Sequence, residues 1–396
     1  MRADDKVFRS DRKAFIREFS MLSLYVHIPF CVRKCHYCGF YSTRYDHVLA
    51  DAYLDALERE MDLKADVLRT RAVGTLYVGG GTPTALTSDQ LSRLFALLER
   101  RVRVHHIAEV TVEVNPAAAA PDVLQLLRRS GVTRLSIGVQ SLADDVLAEL
   151  GRVHTADQAV RAVRNAREAG FENIGIDLIY GVPHQTAEQW RTTLEEALRL
   201  APEHLSAYCL SADAGSRLGE EVRTGAAALP GEEIAISMYR AAVQAIEGAG
   251  YRHYELSNFA RPGQESRHNT NYWERGEYLG LGPGASSFLG NRRCANIPDV
   301  AAYCSRLQQG CSVAEGREEL TGDQAALEEL LLGLRLTAGV DLGRYEERYG
   351  SERRDRLLLR VRELDPHRLL TIENGRLRLT DRGMVLAEEV LSRIAA

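Results

Sequence analysis

Three cysteines, Cys31, Cys35 and Cys38, stand within eight residues of one another, while Cys209, Cys294, Cys304 and Cys311 are scattered. Thiolates are ligands for zinc and for iron-sulfur clusters. A structural zinc site closes with four ligands, usually as two separated pairs, and this chain has no second C-x2-C. A closed iron-sulfur cluster also takes four cysteines. Three thiols on one short loop therefore point to a cluster with one iron left open for something else to bind. His36 lies inside the same loop, where geometry disfavours its convergence on the same metal. The four scattered cysteines read as ordinary buried thiols.

The elements around this loop are those of a soluble α/β protein. The chain has 396 residues, which predicts two or three domains. Hydrophobic residues make up 45%, charged residues 27%, and the formal charge is −5, which excludes a disordered tail and a generally basic nucleic-acid binder. An odd cysteine count is not a disulfide framework. The first 21 residues carry charges throughout and never reach the ~7 consecutive apolar residues of a signal peptide, and no stretch approaches the ~18 of a membrane span. A reducing cytoplasm is the expected compartment.

Runs rich in β-branched and apolar residues, at 23–28, 75–80, 109–116, 134–140, 173–181 and 204–211, read as buried strands. Helical patterns lie between them at 51–70, 88–101, 121–130, 156–169 and 186–198. Six successive β/α units mean a parallel sheet, doubly wound or curled into a barrel. Polar residues fall at the strand ends: Gly79-Gly80-Gly81-Thr82, Glu113, Gln140 and Asp177. Ligand sites of parallel sheets form at that edge. Beyond Ser211 come a helix at 232–248 and a polar, aromatic stretch. Helices at 323–336 and 341–349, a strand at 376–380 and a last helix at 383–394 then suggest a winged-helix-like appendage. No basic recognition face supports DNA binding there.

The segment from Tyr25 through Cys31, Cys35 and Cys38 to Phe40, YVHIPFCVRKCHYCGF, resembles the cluster loop of radical S-adenosyl-L-methionine (SAM) proteins. More narrowly it is similar to the oxygen-independent coproporphyrinogen III oxidase family and its HemW branch of haem chaperones. The resemblance runs from about Tyr25 to the C-terminus. It implies a partial (β/α)6 radical SAM barrel followed by a smaller C-terminal α+β domain. The expected segments are 1–22, the barrel 23–230, a connecting and haem-binding region 231–319, and the C-terminal domain 320–396. It implies that Cys31, Cys35 and Cys38 hold a [4Fe-4S] cluster whose fourth iron is chelated by SAM. It implies SAM contacts at Gly80 and Gly81, where lack of Cβ permits close approach, at the adjoining Thr82, and at Glu113, toward the ribose hydroxyls. Gln140, Arg152 and Asp177 match further SAM positions, and Tyr25 and Tyr37 match positions that flank the cofactor.

Two functions share this resemblance: oxidative decarboxylation of coproporphyrinogen III by a 5′-deoxyadenosyl radical, and haem carriage to an acceptor protein. The oxidases continue C-x3-C-x2-C-x-C, whereas Phe40 stands here at the last position. Arg267-His268-Asn269-Thr270-Asn271-Tyr272-Trp273 carries the H-N-x-x-Y-W pattern associated with haem, with His268 as axial ligand and Asn269, Tyr272 and Trp273 around it. The segment before Tyr25, with Phe8, Phe15 and Phe19 as a possible apolar stripe, is short for the arm of the oxidases. One departure runs the other way: Ser286 replaces a histidine usual in the HemW branch. The expectation is a haem carrier that binds haem, the cluster and SAM, serves an unnamed haem-accepting protein, and retains SAM cleavage without porphyrinogen decarboxylation. The alternative is the oxidase or a related radical SAM enzyme with another substrate.

Overall fold

In the computed structural model, residues 21–364 and 368–395 are described; Phe8, Phe15 and Phe19 lie outside them. Six β/α units form the first half. The strands are β1 (Met21–Ile28), β2 (Ala72–Gly80), β3 (Glu109–Val114), β4 (Arg134–Gln140), β5 (Ile174–Tyr180) and β6 (His204–Cys209). The principal helices between them are α1 (His47–Leu63), α2 (Ser88–Val102), α3 (Pro121–Arg129), α4 (Ala156–Glu168) and α5 (Ala187–Arg199). Thr87 with Gln90, Thr155 with Gln158 and Thr186 with Gln189 form capping boxes that start α2, α4 and α5, satisfying amide groups the first helical turn would leave bare. The helix expected at 51–70 is two, broken at Lys64.

Residues 231–319, expected as a connecting region, share the barrel's sheet and core. After α6 (Glu232–Gly248), β7 (Arg252–Glu255) and β8 (Asn258–Ala260) extend the sheet antiparallel beyond β6. Helix α7 (Arg267–Trp273) follows, and then β9 (Tyr278–Leu281) pairs parallel with β1. Strands β10 (Ser286–Leu289), β11 (Arg292–Asn296) and, after α8 (Val300–Gln308), β12 (Ala314–Glu319) continue outward. The sheet runs β12-β11-β10-β9-β1-β2-β3-β4-β5-β6-β8-β7. Its order is linear, so the barrel is partial. Phe259, Leu279, Leu281 and Tyr303 pack in one core with Leu24, Val78 and Val112. A buried carboxylate ties the two halves: Glu60 of α1 accepts from Gly282 N (2.8 Å), Asn296 Nδ2 (2.6 Å) and the Tyr303 hydroxyl (2.6 Å). Paired this completely, a buried charge is tolerated.

The C-terminal domain runs α9 (Gly322–Gly333), β13 (Val340–Asp341), α10 (Leu342–Tyr349), α11 (Ser351–Leu364), β14 (Leu370–Glu373), β15 (Arg376–Leu379), α12 (Asp381–Val385) and α13 (Ala387–Ala395). This is the element order of a winged helix around a small core of its own. Helix α11 is not visible in the sequence pattern because its dense charge hides an apolar stripe carried by Leu357 and Val361. The domain is bonded to the barrel through Leu256 N to Arg335 O (3.0 Å) and Thr337 N to Tyr254 O (3.1 Å). Among the described residues no helix is long and apolar enough to cross a membrane.

Candidate functional site

The cysteine loop leaves β1 and is held by distant parts of the chain. Gly81 N donates to Ile28 O (2.8 Å) and Thr82 N to Phe30 O (2.7 Å); His36 N donates to Leu150 O (3.1 Å) and Leu218 N to His36 O (2.8 Å). A Cβ on Gly81 would lie 2.6 Å from the Phe30 carbonyl oxygen, and one on Gly80, whose φ is +108°, would lie 2.4 Å from His27 Nδ1. The glycines are thus required by the loop's own approach to β2. Thr82 Oγ1 sits 3.6 Å from Cys31 Sγ. His27, not singled out from sequence, ties both ends of the loop: its Nδ1 accepts from the Tyr25 hydroxyl (3.0 Å) and its Nε2 donates to Tyr41 O (2.8 Å).

His36 is turned away from the thiols. Arg217 can only donate, so His36 Nε2 accepts from it (3.1 Å) and the Nδ1 hydrogen goes to Glu149 O (3.1 Å). With both nitrogens engaged it is not the fourth ligand. The three loop cysteines are free and half-buried. Three thiols on one loop, with no second cysteine pair to close a tetrahedral site, suit a cluster with one open iron better than a structural zinc. Arg152 donates to Cys35 Sγ (3.3 Å) and Gly138 O (2.8 Å), placing a cation beside the thiolates. A Cβ on Gly138 would lie 2.9 Å from Gln140 Nε2 and 3.4 Å from Arg152 Nη2, so this glycine makes room for both side chains. Gln140 ends β4 with φ +66°, where the register against β5 breaks. Burial pushes the Tyr37 phenol up beside Arg152.

Glu113, next to last in β3, and Asp177, in the middle of β5, are the remaining polar strand residues. Glu113 accepts from the Tyr77 hydroxyl (2.9 Å) and Gly80 N (3.0 Å), and burial raises its carboxyl to about 7. Asp177 accepts from Ser136 (2.9 Å) and Ser206 (2.7 Å), and is likewise raised by burial. Together with Tyr25, these side chains gather at one mouth of the barrel with the cysteine loop. Tyr77 and the serines were missed in the sequence; strand alternation with Glu113 and Asp177 is the signal that could have found them.

The His268 motif sits at the opposite end. Glu109, the first residue of β3, accepts from Arg267 N and His268 N (both 2.9 Å), fixing α7 under the starts of β1 to β3. His268 is 1% exposed. The Thr75 hydroxyl donates to Ser23 (2.8 Å) and so accepts from His268 Nδ1 (2.8 Å), leaving Nε2 to accept from the Tyr272 hydroxyl (2.9 Å). Burial lowers this imidazole to about 3, so it is neutral. Its tautomer is that of an Nε2 metal ligand, but Tyr272 covers the lone pair. Asn269 and Trp273 are half-buried, and Arg335 of the C-terminal domain lies 4.8 Å over the Trp273 ring. Ser286 is exposed. The four scattered cysteines are not fully buried thiols: Cys209, the last residue of β6, and Cys311, in the loop after α8, are exposed, while Cys294 in β11 and Cys304 in α8 are half-buried.

Residues 25–197 match the radical SAM superfamily and residues 320–386 the HemN C-terminal domain. The heme chaperone HemW of Bacillus subtilis is 36% identical over 93% of this chain and 98% of its own. The protein of the same name from Mycobacterium tuberculosis is 35% identical over 93% of each. The solved structure of coproporphyrinogen III oxidase (HemN) from Escherichia coli is similar with a TM-score of 0.83 and 27% identity, covering 96% of this chain and 93% of that one. A fold of this kind, a three-cysteine loop at its mouth and relatives spanning nearly the whole chain lead to one assignment: the chain belongs to the HemW family of radical SAM proteins.

Proposed function

We propose that this protein is a cytoplasmic haem chaperone that binds haem, a [4Fe-4S] cluster and SAM and passes haem to an acceptor protein. The observation that carries the reading is Phe40, 69% exposed, at the place where the oxidases have a further cysteine. When bound, the cluster supplies the electron that SAM cleavage needs. Cys31, Cys35 and Cys38 would hold it, Arg152 would neutralise charge beside Cys35, and Glu113 and Asp177 would offer acceptors to SAM from the lumen side, with Tyr25, Tyr37, Gln140 and the Gly80-Gly81-Thr82 turn around them. His268, with Asn269, Tyr272 and Trp273, is the candidate haem ligand, and its use requires Tyr272 to swing off Nε2.

The overall likeness to the HemN structure favours a second reading, porphyrinogen decarboxylation. Anaerobic reconstitution with iron and sulfide followed by two assays separates them. The carrier reading expects stoichiometric haem uptake with a shifted Soret band and haem delivery to an apo-haemoprotein. Conversion of coproporphyrinogen III with SAM and a reductant would overturn it. Formation of 5′-deoxyadenosine with neither outcome would point to another substrate.

A further inference from the structure

We propose that the outer side of the cysteine loop is a surface seat for a tetrapyrrole dicarboxylate, separate from the His268 motif; this rests on the haem-carrier reading. A cavity of about 730 Å³ lies there, lined by Cys31, Val32, Arg33, Lys34, Arg44 and Val153 among others, but by neither Cys35 nor Cys38. It therefore opens on the flank of the thiol site and not between the thiols. A volume of this size suits one small molecule. Its frame is fixed, because Phe30–Cys31 pairs in parallel with Thr43–Arg44.

The chemistry of the lining selects the ligand. The side chains of Arg33, Lys34 and Arg44 make no ion pair or hydrogen bond among the described residues. Arginines elsewhere on the surface are largely paired, as in Arg93 with Asp55 or Arg217 with Glu221. From Cys31 to Arg44 there is no Asp or Glu, although the chain as a whole carries −5. Unpaired cations around an apolar wall call for an anion with an apolar body. Val32 is 64% and Val153 44% exposed, and exposed apolar surface of this kind marks binding sites. A porphyrin with two propionates has both halves of that complement, and a carboxylate can bridge an arginine in bidentate fashion. His268 cannot receive ligand directly from solvent, being buried at the other end of the barrel, so first contact needs a surface of this type.

The test titrates reconstituted protein with haem and with haem dimethyl ester, following the Soret difference spectrum, for wild type and the Arg33→Glu/Arg44→Glu double variant. Wild type is expected to hold free-acid haem about tenfold more tightly than the ester, and the double variant to lose that preference. All the altered loop residues are exposed, so folding is unaffected and is checked by cluster content. Wild type that binds no haem would sink the carrier reading itself. If instead wild type takes up haem and the double variant matches it, the seat is wrong while the carrier reading stands. A double variant with normal haem preference but slowed cluster reduction by an acidic electron-transfer protein would assign the patch to protein docking and likewise overturn the seat.

Discussion

The Tyr77 hydroxyl donates to Glu113 at 2.9 Å while its ring lies 5.1 Å from the His268 imidazole. One side chain thus spans the interior from the carboxylate beside the cysteine loop to the histidine at the far end. Loss of the hydroxyl in Tyr77→Phe leaves a buried Glu113 oxygen with one donor fewer. The carboxyl is expected to titrate higher than in wild type, and the difference to appear in the pH dependence of SAM binding, followed by equilibrium dialysis.

Glu113 also makes stability depend on pH. Its unfolded carboxyl titrates near 4.5 and the folded one near 7, so the folded state holds the extra proton. The contribution is fully present below the unfolded value and is lost as pH rises through about 7. Glu255, raised to about 7 by burial at the seam with the C-terminal domain, acts in the same direction. Buried histidines such as His268, lowered to about 3, act in the opposite direction, so the readout is a difference: the urea midpoint of wild type minus that of Glu113→Gln should fall from pH 5 to 8, and wild type minus the double variant with Glu255→Gln should fall more steeply. A wild-type-minus-variant difference that climbs over this range would contradict the assignment.

Gly81→Ala places a methyl group against the Phe30 carbonyl oxygen. Overpacking of this kind costs about 1–3 kcal/mol, and here the displaced backbone leads straight into Cys31. The expected result is a folded chain that retains less iron per polypeptide after reconstitution, by colorimetric assay, than the control Gly263→Ala, which meets no atom within 4 Å but has a positive φ and so reports backbone strain alone.

Arg152→Met removes the donor to Cys35 and the lumen-side cation. Outer groups that orient metal ligands are worth roughly 10- to 100-fold in affinity. Cluster loss to a chelator should accelerate by about that factor, while Arg217→Met, whose partners are His36 and Glu221 and not a thiol, should leave it near wild type.

His268→Ala is a hazardous test of haem ligation taken alone. It opens a cavity and strips partners from Thr75 and Tyr272, at a cost of roughly 2–4 kcal/mol. Tyr272→Phe is smaller: it removes the donor that occupies Nε2, at about 1–3 kcal/mol for the buried acceptor left unsatisfied, and should raise haem affinity if His268 is the ligand.

The parallel strands and the cysteine loop were legible because both are local: a strand declares itself by composition, and ligands four and three residues apart share a loop by necessity. Glu113 and Gln140 were legible as strand ends, whereas Asp177, read the same way, stands in the middle of β5. What the sequence could not convey was spatial distance. His268 and Cys31 look like parts of one site when read along a chain, yet parallel strands put everything after them at one mouth and everything before them at the other. Strands β7 to β12 escaped notice because they are short and lie among glycines and charges. Their pairing partners, from β6 on one side and β1 on the other, are set only by the closed core.

The ties of the thiol loop also order events during folding. Ile28 and Phe30 meet Gly81 and Thr82, whereas His36 must find Leu150 and Leu218, more than a hundred residues on. Loop-closure entropy makes such contacts late. The geometry that receives iron is therefore absent from the nascent chain and arises only after the sixth strand has docked, which makes metal insertion a checkpoint on a completed barrel and not a nucleus for it.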